Sequence, residues 1–254
     1  IAKGCGAGPA LALFVVFMHL GSCWVWGKTT VWNGYRSRWA VERAMEQLAA
    51  GNQAGGQEIL EHAIHLDPRN AEAYMRRANL HWESGNHPDA VADLLTAFKY
   101  ARSDAMRAHV CLTLGFVQSD CGHQQAAKEA FDKAIEYEPT MEDALWARGM
   151  VHRLTGDMDA AIADLNRAIR LQPGCADAYA QRSVVHLQQE NRSQALQDAE
   201  QAISLGGDVP EAHAVRGRVR LERENHQEAI ADLSIAILQD PTQAEYFEWR
   251  AAAY

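Results

Sequence analysis

Eleven histidines and five cysteines are the residues of this 254-residue chain best suited to metal or nucleophile chemistry, and their spacing points away from both. His62 and His65 stand three apart, close enough to share a helix face, yet no nearby Cys, Asp or Glu completes a closed site. His152 and His186 are 34 residues apart and His81 falls in the same register. Recurrence at a fixed packing position argues for a half-buried ring with a satisfied nitrogen, not for a ligand. Cys5, Cys23, Cys111, Cys121 and Cys175 are odd in number and lack metal-ligand spacing, which suits free thiols in a reducing compartment. The chain contains no G-x-x-x-x-G-K loop, no G-x-S-x-G elbow and no H-E-x-x-H pair. Gly4 and Gly8 bracket a glycine-rich run that no strand precedes, so they read as a helix-contact motif and not as a nucleotide loop. Asn191-Arg192-Ser193 matches a glycosylation sequon in an inter-helix turn. These residues predict no catalytic site, no metal and no cofactor, and hence no enzyme.

A recurring pair of charges carries more. Arg148, Arg182 and Arg216 are spaced by 34 residues, Arg77 shares their register, and Asp93, Asp164, Asp198 and Asp232 follow sixteen residues after each. At the corresponding places Leu114 and Ala130 replace both members together. Joint loss predicts a direct ion pair between two helices, worth ~0.2–1 kcal/mol if partly exposed.

The elements that would position these residues follow from the same period. Pro139, Pro173 and Pro241 close the phrases AIEYEP, AIRLQP and AILQDP, Gly207 takes the intervening place after AISLG, and Pro68 ends AIHLDP. A 34-residue period is the length of a helix-turn-helix solenoid repeat. The register predicts repeats over 37–70, 71–104, 108–141, 142–175, 176–209 and 210–243, with a three-residue slip near Asp104 to Arg107 and a partial seventh repeat over 244–254. The fourth repeat carries Leu145, Gly149, Ala161, Leu165, Ala168 and Pro173; the third carries Leu114, Gly115, Ala127, Phe131, Ala134 and Pro139. This pattern resembles the tetratricopeptide repeat (TPR) family. The resemblance implies an all-α fold, a right-handed superhelical solenoid of TPR-like hairpins.

Small residues at Ala78, Gly115, Gly149, Ser183, Gly217 and Ala251 would let helices approach closely, with Leu94, Phe131, Leu165 and Leu233 filling the space left. Gly85, Gly122 and Gly156 stand where first helices must stop and turn.

Net charge is −9 overall, but residues 1–36 hold three bases and no acid, so the repeats carry 21 bases against 33 acids. That balance disfavours a nucleic-acid partner. Gly4 to Gly27 contains no charged residue, and the apolar run from Ala7 to Trp26 within it matches, as a helix, the ~30 Å of a bilayer core. The expected organisation is a transmembrane anchor over 1–27, an interfacial linker over 28–36 and the repeat solenoid over 37–254. Trp24, Trp26, Trp32 and Tyr35 are the expected membrane-interface residues. Leu20-Gly21-Ser22-Cys23 also resembles a lipoprotein processing box, so a periplasmic TPR lipoprotein acylated at Cys23 is the alternative. Lys28, Arg36, Arg38 and Arg43 against Lys3 favour cytoplasmic repeats over periplasmic or lumenal ones in a single-pass membrane protein.

TPR proteins bind partners along a groove lined by the first helix of each hairpin. The resemblance maps that groove onto Met45, Met75, Asn79, Trp82, Leu112, Phe116, Trp146 and Met150, an apolar lining suited to a peptide or helix. Packing of Phe116 and Trp146 beneath an adjacent helix of the same chain is the competing expectation. Family members with a carboxylate clamp use Lys, Asn and Arg in the groove, and only Asn79 matches that set, so the resemblance does not extend to a clamp. The expected function is a membrane-tethered scaffold or adaptor acting in assembly or stabilisation of a membrane complex. The alternative is a permanent accessory subunit held by its transmembrane helix, and a regulatory arm of a larger enzyme is a third.

Overall fold

The structure is a computed structural model and describes residues 25–207 and 209–254. All regular structure among them is helical. Thirteen helices follow in order: α1 Val25–Ala49, α2 Gln53–Leu66, α3 Ala71–Glu83, α4 His87–Tyr100, α5 Asp104–Asp120, α6 Gln124–Tyr137, α7 Glu142–Leu154, α8 Met158–Leu171, α9 Ala176–Gln188, α10 Arg192–Leu205, α11 Pro210–Glu222, α12 His226–Gln239 and α13 Ala244–Ala253. The described residues form two compact units that divide between Arg77 and Ala78.

In the first unit, α1 buries Ser37, Ala40, Val41 and Ala44, while Leu60 and Ala63 of α2 are fully buried. Ser37 has no exposed surface; its hydroxyl donates to the Ala63 carbonyl at 2.7 Å and accepts from the Asn70 amide at 2.8 Å. Residues 28–36, expected as a linker, lie inside α1, which runs unbroken into the first repeat. The stretch lacks proline, and one glycine, Gly34, costs a helix only ~1 kcal/mol. The anchor expected over 1–27 falls outside the described residues apart from its last three positions. Among the described residues no helix is long and apolar enough to cross a membrane.

The second unit repeats one hairpin design, shown by α7 and α8. Glu142 and Asp143 open α7 and His152 and Arg153 close it, both matching the helix dipole. Gly156, at φ +86°, lets Asp157 N–H reach back to the His152 carbonyl at 2.9 Å. The Asp157 side chain then caps α8 by accepting from Ala160 N–H. Along α8, Ala161, Asp164, Leu165 and Ala168 form one buried stripe at i, i+3, i+4 and i+7. Equivalent turns carry Gly85 and Gly122 at φ +76°, but Glu190 and Glu224 adopt φ +63° there without glycine. The three-residue slip is absorbed at the start of α5, which is 17 residues long and capped by Ser103.

Between hairpin helices, the absent Cβ groups matter most at Gly115. A Cβ there would lie 2.3 Å from Cε1 of the fully buried Phe131. Glycine and phenylalanine therefore share a volume that Ser183 and Ala199 divide differently two repeats later.

The predicted ion pairs form in the fourth, fifth and sixth repeats, and they are more buried than the exposed pairs used to size them. Arg148 grips Asp164 through Nε and Nη2, both at 2.7 Å, and Arg182 grips Asp198 at 2.7 and 2.6 Å. Arg216 grips Asp232 at 2.9 and 2.6 Å. Two of these guanidiniums reach a third element as well. Nη1 of Arg148 donates to Asp132 in the preceding repeat at 2.7 Å, and Nη1 of Arg182 donates to Asn166. Arg148 and Arg182 thus each join the second helices of two successive repeats.

Candidate partner-binding face

The first helices of the second unit bring three of the expected groove residues into one stack. Trp82 of α3 lies nearly parallel to Phe116 of α5, with centroids 6.1 Å apart and planes 11° apart. Phe116 meets Trp146 of α7 at 5.6 Å and turns its edge to Phe131 at 5.3 Å. The three rings step back one helical turn per repeat, so a diagonal of half-buried aromatics crosses three helices. Leu112 joins the same cluster above Ala127, Phe131, Ala147 and Val151. The competing expectation holds in part: Phe116 and Trp146 do pack on their own chain, but both keep exposed surface.

Carboxylates fix the indoles. Trp82 Nε1 donates to Asp120 at 2.7 Å and Trp146 Nε1 to Asp143 at 3.1 Å. Neither acid was expected. Met150 is half-buried on α7, and Asn79 is half-buried with an amide oxygen that lacks a hydrogen-bond partner. Met45 and Met75 are half-buried in the first unit.

Beyond Trp146 the face becomes acidic. Asp143, Asp177, Glu211 and Glu245 are 34 residues apart in succession, one in the first turn of each of α7, α9, α11 and α13. Burial, then the charge of Asp143, pushes the Asp177 carboxyl above the usual range. Burial likewise raises Glu211, and Asp177 adds to it while Arg153 opposes it. Arg153 is itself shifted down by burial, and its Nε has no hydrogen-bond partner. Tyr246 is pushed well up, chiefly by burial and then by Glu211. The 34-residue spacing of these acids is the signal by which the sequence could reveal them.

The recurring histidines stand beside the ion pairs and not in a metal centre. Nε2 of His81, His152 and His186 lies 3.8, 3.9 and 3.7 Å from Asp93, Asp164 and Asp198. In the sixth repeat Arg220 takes that position and donates to Asp232 at 2.8 Å. The expectation of a satisfied ring fails at His186, whose Nδ1 is buried without a partner; burial holds its pKa down. A cleft of about 290 Å³ lies beside it, but the Arg182 guanidinium on its wall already serves Asp198 and Asn166. Among the described residues no group of three or more His, Cys, Asp or Glu could hold a metal. Cys111, Cys121 and Cys175 are free thiols, with burial pushing Cys111 up to about 11.

Of the expected membrane-interface residues, Trp24 and the Trp26 side chain lie outside the described residues. Trp32 and Tyr35 are 47% and 61% exposed on α1, with Trp39 at 66% close by. Arg38 lies over the Tyr35 ring at 5.7 Å.

Hairpins of this length, repeating small-large packing pairs and proline or glycine exits, define a helical-repeat interaction fold. A tetratricopeptide repeat model matches residues 41–105, 122–175 and 181–244, and the chain belongs to that family. No curated protein matches it in sequence. Among solved structures it is similar to the APC/C hetero-tetramer Cut9–Hcn1, with a TM-score of 0.74 and 17% identity over 86% of this chain and 43% of the other. The chain thus spans less than half of that relative. It is similar to pilF of Pseudomonas aeruginosa, with a TM-score of 0.71 and 16% identity over 86% of this chain and 98% of the other. A third is YrrB, described as a TPR protein with an unusual peptide-binding site, with a TM-score of 0.51 and 21% identity over 76% and 97%. At these identities the likeness establishes the fold. Such folds are typically interaction scaffolds without catalysis of their own.

Proposed function

We propose that this chain is a membrane-tethered TPR scaffold that holds a protein partner along the first-helix face, in assembly or stabilisation of a membrane complex. The observation that carries the reading is the diagonal of Trp82, Phe116 and Trp146. Large, rigid, partly exposed rings give contact area at low entropic cost and are enriched at binding hot spots. The peptide-binding site named for YrrB supports the same use of the fold. Tethering rests on the uncharged stretch before Lys28 and on the exposed aromatics of α1. The positive-inside bias favours repeats on the cytoplasmic side.

Trp82→Ala, with a melting curve to confirm folding, should abolish partner capture while membrane association persists. Deleting residues 1–27 should release the protein from membranes with capture intact. If the alanine variant keeps its partner and the deletion loses it, the chain is an accessory subunit held by its N-terminal segment.

A further inference from the structure

We infer that the partner of this face is a basic segment: a polypeptide with an apolar or aromatic anchor followed by Lys or Arg residues that meet Asp143, Asp177, Glu211 and Glu245. The inference rests on reading the first-helix face as a binding surface, and it adds the chemistry of what binds.

Three observations converge. The acids occupy the same first-turn position of four consecutive first helices, and Asp177 and Glu211 are raised by neighbouring acids as well as by burial. An arriving cation relieves that repulsion. Arg153 offsets part of it at Glu211 and also faces Glu245, while Arg218 is engaged with Glu222 at 3.2 Å and with the Trp249 ring, so the four acids remain in excess.

The second observation is independent of charge. Gln181 is only 5% exposed, and its amide Nε2 donates to Glu211 at 3.2 Å. Its Oε1 is buried with no hydrogen-bond partner. A buried acceptor left unpaired is costly, and an ammonium or guanidinium donor entering beside Glu211 would satisfy it.

The third is continuity. Trp146 Nε1 holds Asp143, so the aromatic diagonal runs directly into the acidic row. Packed helices lie ~8–10 Å apart and an extended chain rises ~3.3 Å per residue, so basic residues about three apart would meet successive acids.

The test is panning of a random dodecapeptide display library on the full chain in detergent micelles. Enriched clones should carry an excess of Lys and Arg with depletion of Asp and Glu. Against an enriched peptide, Asp177→Asn with Glu211→Gln should raise Kd by about tenfold or more. Gln181→Met should raise it several-fold. Glu129→Gln with Glu136→Gln, exposed acids of α6, should leave it unchanged. Binding to the unaltered protein should weaken about tenfold towards ~0.5 M salt, a readout that needs no variant. Clones without basic bias, or binding indifferent to salt and to the neutralised row, overturn the inference. If such clones still require Trp82, the binding face itself stands. Failure of any clone to enrich, or binding that ignores Trp82→Ala, overturns both.

Discussion

Arg148 donates to Asp132 at 2.7 Å while its remaining nitrogens hold Asp164, so one side chain spans sixteen residues in each direction. The hydrogen bond to Asp164, with Asp132 helping, raises the Arg148 pKa further and keeps the group charged. Asp164 is nearly buried in this arrangement, whereas the Asp132 side chain is 45% exposed. Asp164→Ala should cost about 2–3 kcal/mol, because it leaves a largely buried guanidinium with Asp132 as its one remaining carboxylate. Asp132→Ala should cost only about 0.5 kcal/mol. Urea unfolding of the Arg148 and Asp164 single and double variants should give a coupling energy above about 1 kcal/mol; additive losses would refute the contact.

Gly115→Ala should destabilise by about 1–3 kcal/mol, since the new Cβ meets a Phe131 ring with nowhere to go. Adding Phe131→Leu should recover part of that loss, since the second repeat carries the buried pair Ala78 and Leu94 at the same two places. A neutral Gly115→Ala in chemical denaturation would show that the helices separate more easily than this packing implies.

Glu190 and Glu224 hold left-handed backbone where earlier repeats have glycine. Replacing either by glycine removes a strain of ~1–2 kcal/mol against a smaller entropic loss, so each should stabilise by about 0.5–1 kcal/mol. Calorimetry should show a higher Tm for each, and a higher one still for both.

His186 and His213 are shifted below 6.5, first by burial, with Arg182 and Arg216 reinforcing it and Asp198 and Asp232 opposing it. The unfolded chain therefore binds more protons in the window beneath 6.5, and stability falls as pH drops through it. Asp177 and Glu211, shifted upward, act in the opposite sense at lower pH. A His186→Gln, His213→Gln variant should lose less Tm than the parent between pH 7 and 5.5. Parallel curves would contradict the burial of these rings.

Much of this was legible in the sequence because repetition averages out local ambiguity. Proline and glycine exits, small residues opposite Leu or Phe, and the sixteen-residue Arg–Asp spacing each recur, and each corresponds to a contact. What was hidden depended on geometry between repeats. The reach of Arg148 to Asp132 needs the helix crossing, which no single-repeat pattern encodes. Asp120 and Asp143 became visible as indole partners only once the diagonal placed Trp82 and Trp146. His186 shows the limit of recurrence: it marked a packing site correctly, but not that Nδ1 would go unpartnered.

Leu114 and Ala130 mean that the arginine staple is missing where the second repeat meets the third. That joint is instead closed by Trp82, through its stack on Phe116 and its bond to Asp120. The rings offered to a visitor are thus also the latch of a seam that lacks its arginine. Docking there would brace the joint it lands on, coupling recognition to stiffness without any separate switch.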